Sequence, residues 1–99
     1  MRYTIKIEPE AVRDIQEAID WYNRQRPSLG QVFYKKIDAE FEILKTYPHF
    51  QMRYDAVRCL PVRKFPFMIH YTLDEENKTV IVRAVFSTHR NPAIWKQRP

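Results

Sequence analysis

Three prolines, Pro9, Pro27 and Pro48, cut the first half of this 99-residue chain into two segments whose apolar residues recur at helical spacing. Proline fixes φ and lacks an N–H, so it is tolerated in the first turn of a helix and stops whatever helix precedes it. After Pro9, the residues Ala11, Ile15, Ala18, Ile19 and Tyr22 are three or four apart, which predicts an amphipathic helix ending near Arg26. Its charge order, with Asp14 and Glu17 towards the start and Arg24 and Arg26 at the end, complements the helix dipole. A second helix is predicted from Pro27, with Phe33, Ile37, Phe41 and Leu44 along one stripe, Gly30 near its start, Lys45 at its close and Tyr47-Pro48 as its stop. So short a link folds the two into an antiparallel hairpin.

Extended patterns flank the hairpin. Tyr3, Ile5 and Ile7 alternate with polar residues, which predicts a half-buried strand. Beyond Pro48 the period changes again. Val57–Arg63 reads as a strand that Pro61 confines to an edge or a bulge, and Phe65-Pro66 as a tight turn. Phe67–Leu73 is rich in β-formers, and Asp74–Asn77 is a polar turn. Thr79–Phe86 follows as the last strand, with Val80, Val82, Ala84 and Phe86 on one face and Ile81, Arg83 and Val85 on the other. A polar loop, Ser87–Asn91, leads to Pro92 and a short helical turn that tucks Trp95 against the domain. The expected architecture is a single α+β domain over residues 1–99. It has an N-terminal strand and a helical hairpin on one face of a largely antiparallel four-stranded sheet. The other sheet face is expected to be exposed or kept for a partner.

Charge narrows the classes. Seventeen Lys and Arg against twelve Asp and Glu give a formal charge of +5, which suits nucleic acid, an acidic protein or an anionic surface. The one cysteine, Cys59, has no partner for an internal disulfide and no zinc-site spacing around it, so neither metal nor cofactor is expected. No apolar run approaches the roughly 20 residues that span a bilayer, and the N-terminus lacks the apolar stretch of a signal peptide. A cytoplasmic protein, away from membranes, is expected.

The segment Val57–Tyr71, with Val82–Phe86 and Arg90-Asn91-Pro92-Ala93-Ile94-Trp95, resembles the RelE/ParE toxin superfamily. The shared pattern is an Arg on the strand before a basic-Phe-Pro-aromatic turn, an aromatic ending the next strand, and an apolar strand entering an Arg-Asn-Pro-x-x-Trp loop. Arg58, Lys64, Phe65, Pro66, Phe67, Tyr71, Arg90, Asn91, Pro92 and Trp95 supply it here. The resemblance implies a type II toxin, of the plasmid-stabilisation kind, neutralised by a cognate antitoxin, as a homodimer or a hetero-oligomer with that antitoxin. It implies one of two targets: DNA gyrase, poisoned without chemistry, or ribosome-bound messenger RNA, cut by an mRNA interferase. A non-toxic homologue or a basic RNA-binding module are further alternatives.

A metal-free ribonuclease needs a base for the 2′-hydroxyl proton, an acid for the leaving oxygen, and cations for the phosphorane. Arg63, Arg83 and Arg90, with Arg58 and Lys64, are the candidate cations, and His89 is the only near-neutral acid or base in this region. The ordinary reading of His89 is a solvated loop residue, and of the arginines a basic face for antitoxin carboxylates. Relatives often carry His directly after the last strand, where this chain has Ser87. The nucleases often use a C-terminal Tyr, where this chain has Trp95. The gyrase poison is therefore preferred. His49 is given no role, His70 and Tyr71 are expected to pack, and Asp14, Glu17 and Asp20 read as a solvated helix face.

Overall fold

The two proline-bounded segments are helices, α1 (Pro9–Gln25) and α2 (Leu29–Thr46). The structure, a computed structural model, describes residues 2–89. The expectations for Arg90, Asn91, Pro92 and Trp95 lie outside those residues. The second helix starts two residues later than Pro27 suggests. Ser28 sits at the left-handed φ of 70° and its side chain caps nothing. The missing cap comes from the neighbouring helix instead, because Asn23 Oδ1 accepts the N–H of Gly30 at 2.8 Å. Gly30 is buried, and a Cβ there would stand 2.5 Å from the backbone oxygen of Ile19. The chain's only glycine thus lets the two helices meet at their junction.

The sheet has five strands: β1 (Thr4–Ile7), β2 (Met52–Tyr54), β3 (Val57–Pro61), β4 (Phe67–Asp74) and β5 (Thr79–Ser87), in the order β1-β5-β4-β3-β2. This corrects the four-stranded, antiparallel expectation twice. Met52–Tyr54 is a short added edge strand on β3, too brief to leave a period-two signature. β1 pairs parallel to β5, Thr4 with Thr79 through Ile7 with Val82, so the sheet is mixed. The β3 strand ends at Pro61, two residues short of the predicted Arg63.

One extra residue in β5 changes which side chains face the helices. Tyr71 pairs with Val82 and His70 with Ala84, leaving Arg83 opposite no residue. This bulge resets the alternation, since a shift of one residue moves side chains to the other face. Val80, Val82 and Val85 therefore join Ile69, Tyr71 and Leu60 beneath the helices. Ala84 and Phe86 turn to the opposite face with Cys59, Met68 and His70, where all five are buried. The uninterrupted alternation expected for Thr79–Phe86 fails at Arg83. The opposite face is likewise not bare, since these residues form a second small cluster. In it the Tyr54 hydroxyl lies 2.9 Å from His70 Nδ1, and the His70 and Phe86 rings meet edge to face.

The main core is aromatic at one end. Phe33 is fully buried, and its ring centroid lies 5.0–5.3 Å from those of Tyr22, Phe65 and Phe67. At the other end the buried Tyr71 donates to the carbonyl of Pro48 at 2.6 Å, tying the segment after α2 to the sheet. Burial pushes the Tyr71 hydroxyl up to about 12. Tyr71→Phe leaves that carbonyl without its donor in a buried place. It is expected to cost about 1–3 kcal/mol in denaturant melts.

Candidate functional site

The turn between β3 and β4 is built to a fixed shape. Val62 N–H bonds to Phe67 O, Phe65 N–H to Val62 O, and Lys64 takes a left-handed φ of 72°. Glu40 holds this turn against α2 by accepting the backbone N–H of Arg63 at 3.0 Å. Its burial is legible in hindsight, because Glu40 falls within the Ile37, Phe41, Leu44 stripe. The end of β5 is fastened to the same turn, with Thr88 N–H donating to Pro66 O at 2.8 Å. Arg63, Lys64 and His89 therefore share one end of the sheet, and all three are exposed. Of the candidate cations, Arg63 and Lys64 therefore stand at one end of the sheet. Arg90 follows His89 directly in the chain, outside the described residues.

Arg83 is placed differently. It occupies the β5 bulge, and its Nη1 lies 3.1 Å from Glu8 Oε1 at the junction of β1 and α1. Ser87 lies four residue steps further along the strand, roughly 13 Å away along the chain. Arg58 also leaves the expected cation set. Its guanidinium donates to Phe50 O at 2.5 Å beneath the segment that follows α2. The arrangement thus brings together Arg63, Lys64 and His89, and not Arg58 or Arg83.

Three clusters outside this end went unread in the sequence. Asp14 Oδ2 accepts the N–H of Val85 at 3.0 Å, so the first helix reaches the edge of β5 rather than presenting only a solvated face. At the opposite end of the sheet, Tyr3 donates to Glu75 Oε1 at 2.6 Å, and His49 Nε2 lies 2.8 Å from Glu75 Oε2. The hydrogen bond to Glu75 raises the Tyr3 hydroxyl, and the bonds from Tyr3 and His49 lower the Glu75 carboxyl. This group clasps the turn between β4 and β5 to the segment after α2. Third, Cys59 lies 3.4 Å from His70 Nδ1. Burial pushes the thiol up against the opposing pull of Arg53. Among the described residues no group of His, Cys, Asp and Glu could hold a metal ion, and no helix is long and apolar enough to cross a membrane.

Comparison with known proteins agrees with this architecture. Residues 5–92 match the family model described as ParE toxin of type II toxin–antitoxin system, parDE. A search of curated protein sequences finds no match. Among solved structures, the chain is similar to a chain of the chromosomal ParDE toxin–antitoxin system from P. aeruginosa. That likeness has a TM-score of 0.74 at 16% identity, covering 87% of this chain and 96% of the other. It is equally similar, at 0.74 and 12% identity, to an arginine-substituted E. coli toxin RelE in the free state, over 99% and 95% of the two chains. A chain of the toxin–antitoxin complex RelBE2 from Mycobacterium tuberculosis follows at 0.60 and 17% identity, over 88% and 99%. At these identities the structural likeness establishes the fold. The family match spans most of the sequence, and on it the chain belongs to the ParE toxin family of type II toxin–antitoxin systems, within the RelE/ParE superfamily.

Proposed function

We propose that this chain is a ParE-like toxin that poisons DNA gyrase in the cytoplasm without chemistry of its own, and that a cognate antitoxin neutralises it. The carrying observation is the pairing of Arg83 with Glu8 at 3.1 Å. A ribonuclease would turn its cations on the phosphate, and this one is spent on the β1–α1 junction. What remains at the basic end is Arg63 and Lys64 beside the loop that enters Arg90, a surface suited to docking on an acidic partner. The toxin–antitoxin complexes among the structural relatives support an antitoxin partner.

Purified protein incubated with gyrase, ATP and supercoiled DNA is expected to accumulate gyrase-dependent breaks while leaving ribosome-bound message intact. The second reading, a ribosome-dependent mRNA endonuclease, draws on His89, an imidazole that shares an end with Arg63 and Lys64. Codon-phased message cleavage that vanishes in His89→Ala reverses the ranking. Within the gyrase reading, Arg90→Gln and Arg63→Gln are expected to abolish or strongly reduce toxicity, and the melting temperature of Arg63→Gln to stay unchanged, since an exposed charge contributes little to folding. Arg83→Gln is expected to reduce toxicity less, because its guanidinium already has a partner. If Arg90→Gln and Arg63→Gln both stay fully toxic, the basic end is solvated surface only.

A further inference from the structure

The sheet edge on the β1 side is covered only in part. β1 pairs with β5 as far as Ile7 opposite Val82, and the last rung is Glu8 N–H donating to Val82 O at 3.0 Å. Pro9 then turns the chain into α1, while β5 runs on to Ser87. Among the described residues no strand lies on that side of residues 83–87, which read Arg-Ala-Val-Phe-Ser. Such an edge is a template for another strand, because backbone groups beside β-forming apolar side chains recruit a partner. Antiparallel pairing of two copies about Val85 sets Arg83 of one opposite Ser87 of the other, so no like charges meet and the stretch is self-complementary.

We propose that Asp14 guards this edge: its carboxylate stands in for the rung that a longer β1 would supply, and closes β5 beyond Val82 against strand addition by a second copy of this chain. Three features converge on the stretch. The bulge at Arg83 breaks the register, and bulges twist an edge away from a straight partner. Arg83 carries a charge there, held by Glu8 at 3.1 Å. Further along, Val85 is buried and its N–H, the donor an added strand would seek, is taken by Asp14 Oδ2 at 3.0 Å. Helix geometry delivers that oxygen. Asp14 lies three residues after Ala11 and four before Ala18, on the face of α1 turned to the sheet, and both alanines are buried. Side chains that small let α1 approach the sheet closely, so the short aspartate spans the remaining gap to β5.

The test compares full-length variants. Asp14→Ala and Asp14→Asn remove the same charge, and only asparagine keeps a side-chain oxygen of the same reach. Both make the chain more positive, so added repulsion opposes association in each and lost charge cannot mimic a lost guard. Tyr71→Phe, which loses a buried hydrogen bond elsewhere, controls for stability. Alanine favours the helix more than aspartate does, and one lost hydrogen bond is small beside the stability of a domain, so Asp14→Ala folds. All variants are brought to an equal folded fraction with sucrose, which favours the compact state, and followed by light scattering and thioflavin T. Asp14→Ala is expected to assemble about tenfold faster than wild type or more, with Asp14→Asn and Tyr71→Phe within about threefold of wild type. In the assembled Asp14→Ala protein, residues 83–87 are expected to be protected from hydrogen exchange, as strand pairing would leave them. The proposal is overturned if Asp14→Ala assembles no faster than Tyr71→Phe, if Asp14→Asn assembles as fast as Asp14→Ala, or if residues 83–87 exchange freely in the assembled protein.

Discussion

Phe33→Ala is expected to destabilise the fold by about 3–5 kcal/mol, the range for emptying a buried aromatic site. Phe33 is fully buried where α2 meets the sheet, and three aromatic rings surround it. Two of these, Phe65 and Phe67, flank the turn that positions Arg63 and Lys64, so the cavity opens under the basic end itself. A domain of about 100 residues has a total stability of roughly 5–15 kcal/mol, so this one change removes a large share of it. The melting temperature is expected to fall by more than about 10 °C. A smaller fall would mean that Tyr22, Phe65 and Phe67 collapse into the space, and that the cluster is less rigid than its ring contacts imply.

Gly30→Ala is expected to be the most damaging single-methyl change in the chain. In an ordinary helix alanine is favoured over glycine by about 0.8–1.0 kcal/mol, so propensity alone predicts stabilisation. The structure predicts the opposite sign. The new Cβ would stand 2.5 Å from Ile19 O and 2.7 Å from Asn23 Oδ1, and neither backbone nor cap can give way cheaply. Relief requires α1 and α2 to separate at their junction, and overpacking of this kind costs typically about 1–3 kcal/mol. The separation also breaks the bond from Gly30 N–H to Asn23, which replaces the cap that Ser28 does not provide. Urea melts of Gly30→Ala decide between the two signs.

The sequence carried the layer plan further than it carried the faces of the sheet. Prolines at 9, 27 and 48 and the spacing of Phe33, Ile37, Phe41 and Leu44 place both helices to within two or three residues. The β5 bulge had no such signal. Val-Arg-Ala-Val-Phe alternates as well with Arg83 inserted as without, because both faces of this sheet bury apolar side chains. With both faces apolar, hydrophobicity cannot report a one-residue slip. The parallel pairing of β1 to β5 was equally silent, since period two records one buried face and not the direction of the neighbour.

For the site, the sequence left open whether strand pairing would gather the cations, and Arg63, Lys64 and His89 are the ones that share an end. The partners of Arg83 and Asp14 were not. Glu8 precedes Arg83 by 75 residues and Asp14 precedes Val85 by 71, and both contacts depend on how α1 leaves β1. Glu40 was the missed signal that could have been read. A carboxylate inside an apolar stripe needs a buried donor, and Arg63 N–H is that donor.

The central claim is that this chain is a toxin held in check by a partner, and induced expression in a bacterial host tests it most directly. Growth is followed with and without the small protein encoded beside the gene. The account predicts arrest on induction of the toxin alone, recovery when the neighbour is co-expressed, and no arrest from Arg90→Gln at equal protein level. Unimpaired growth of cells holding the folded wild-type protein would contradict it.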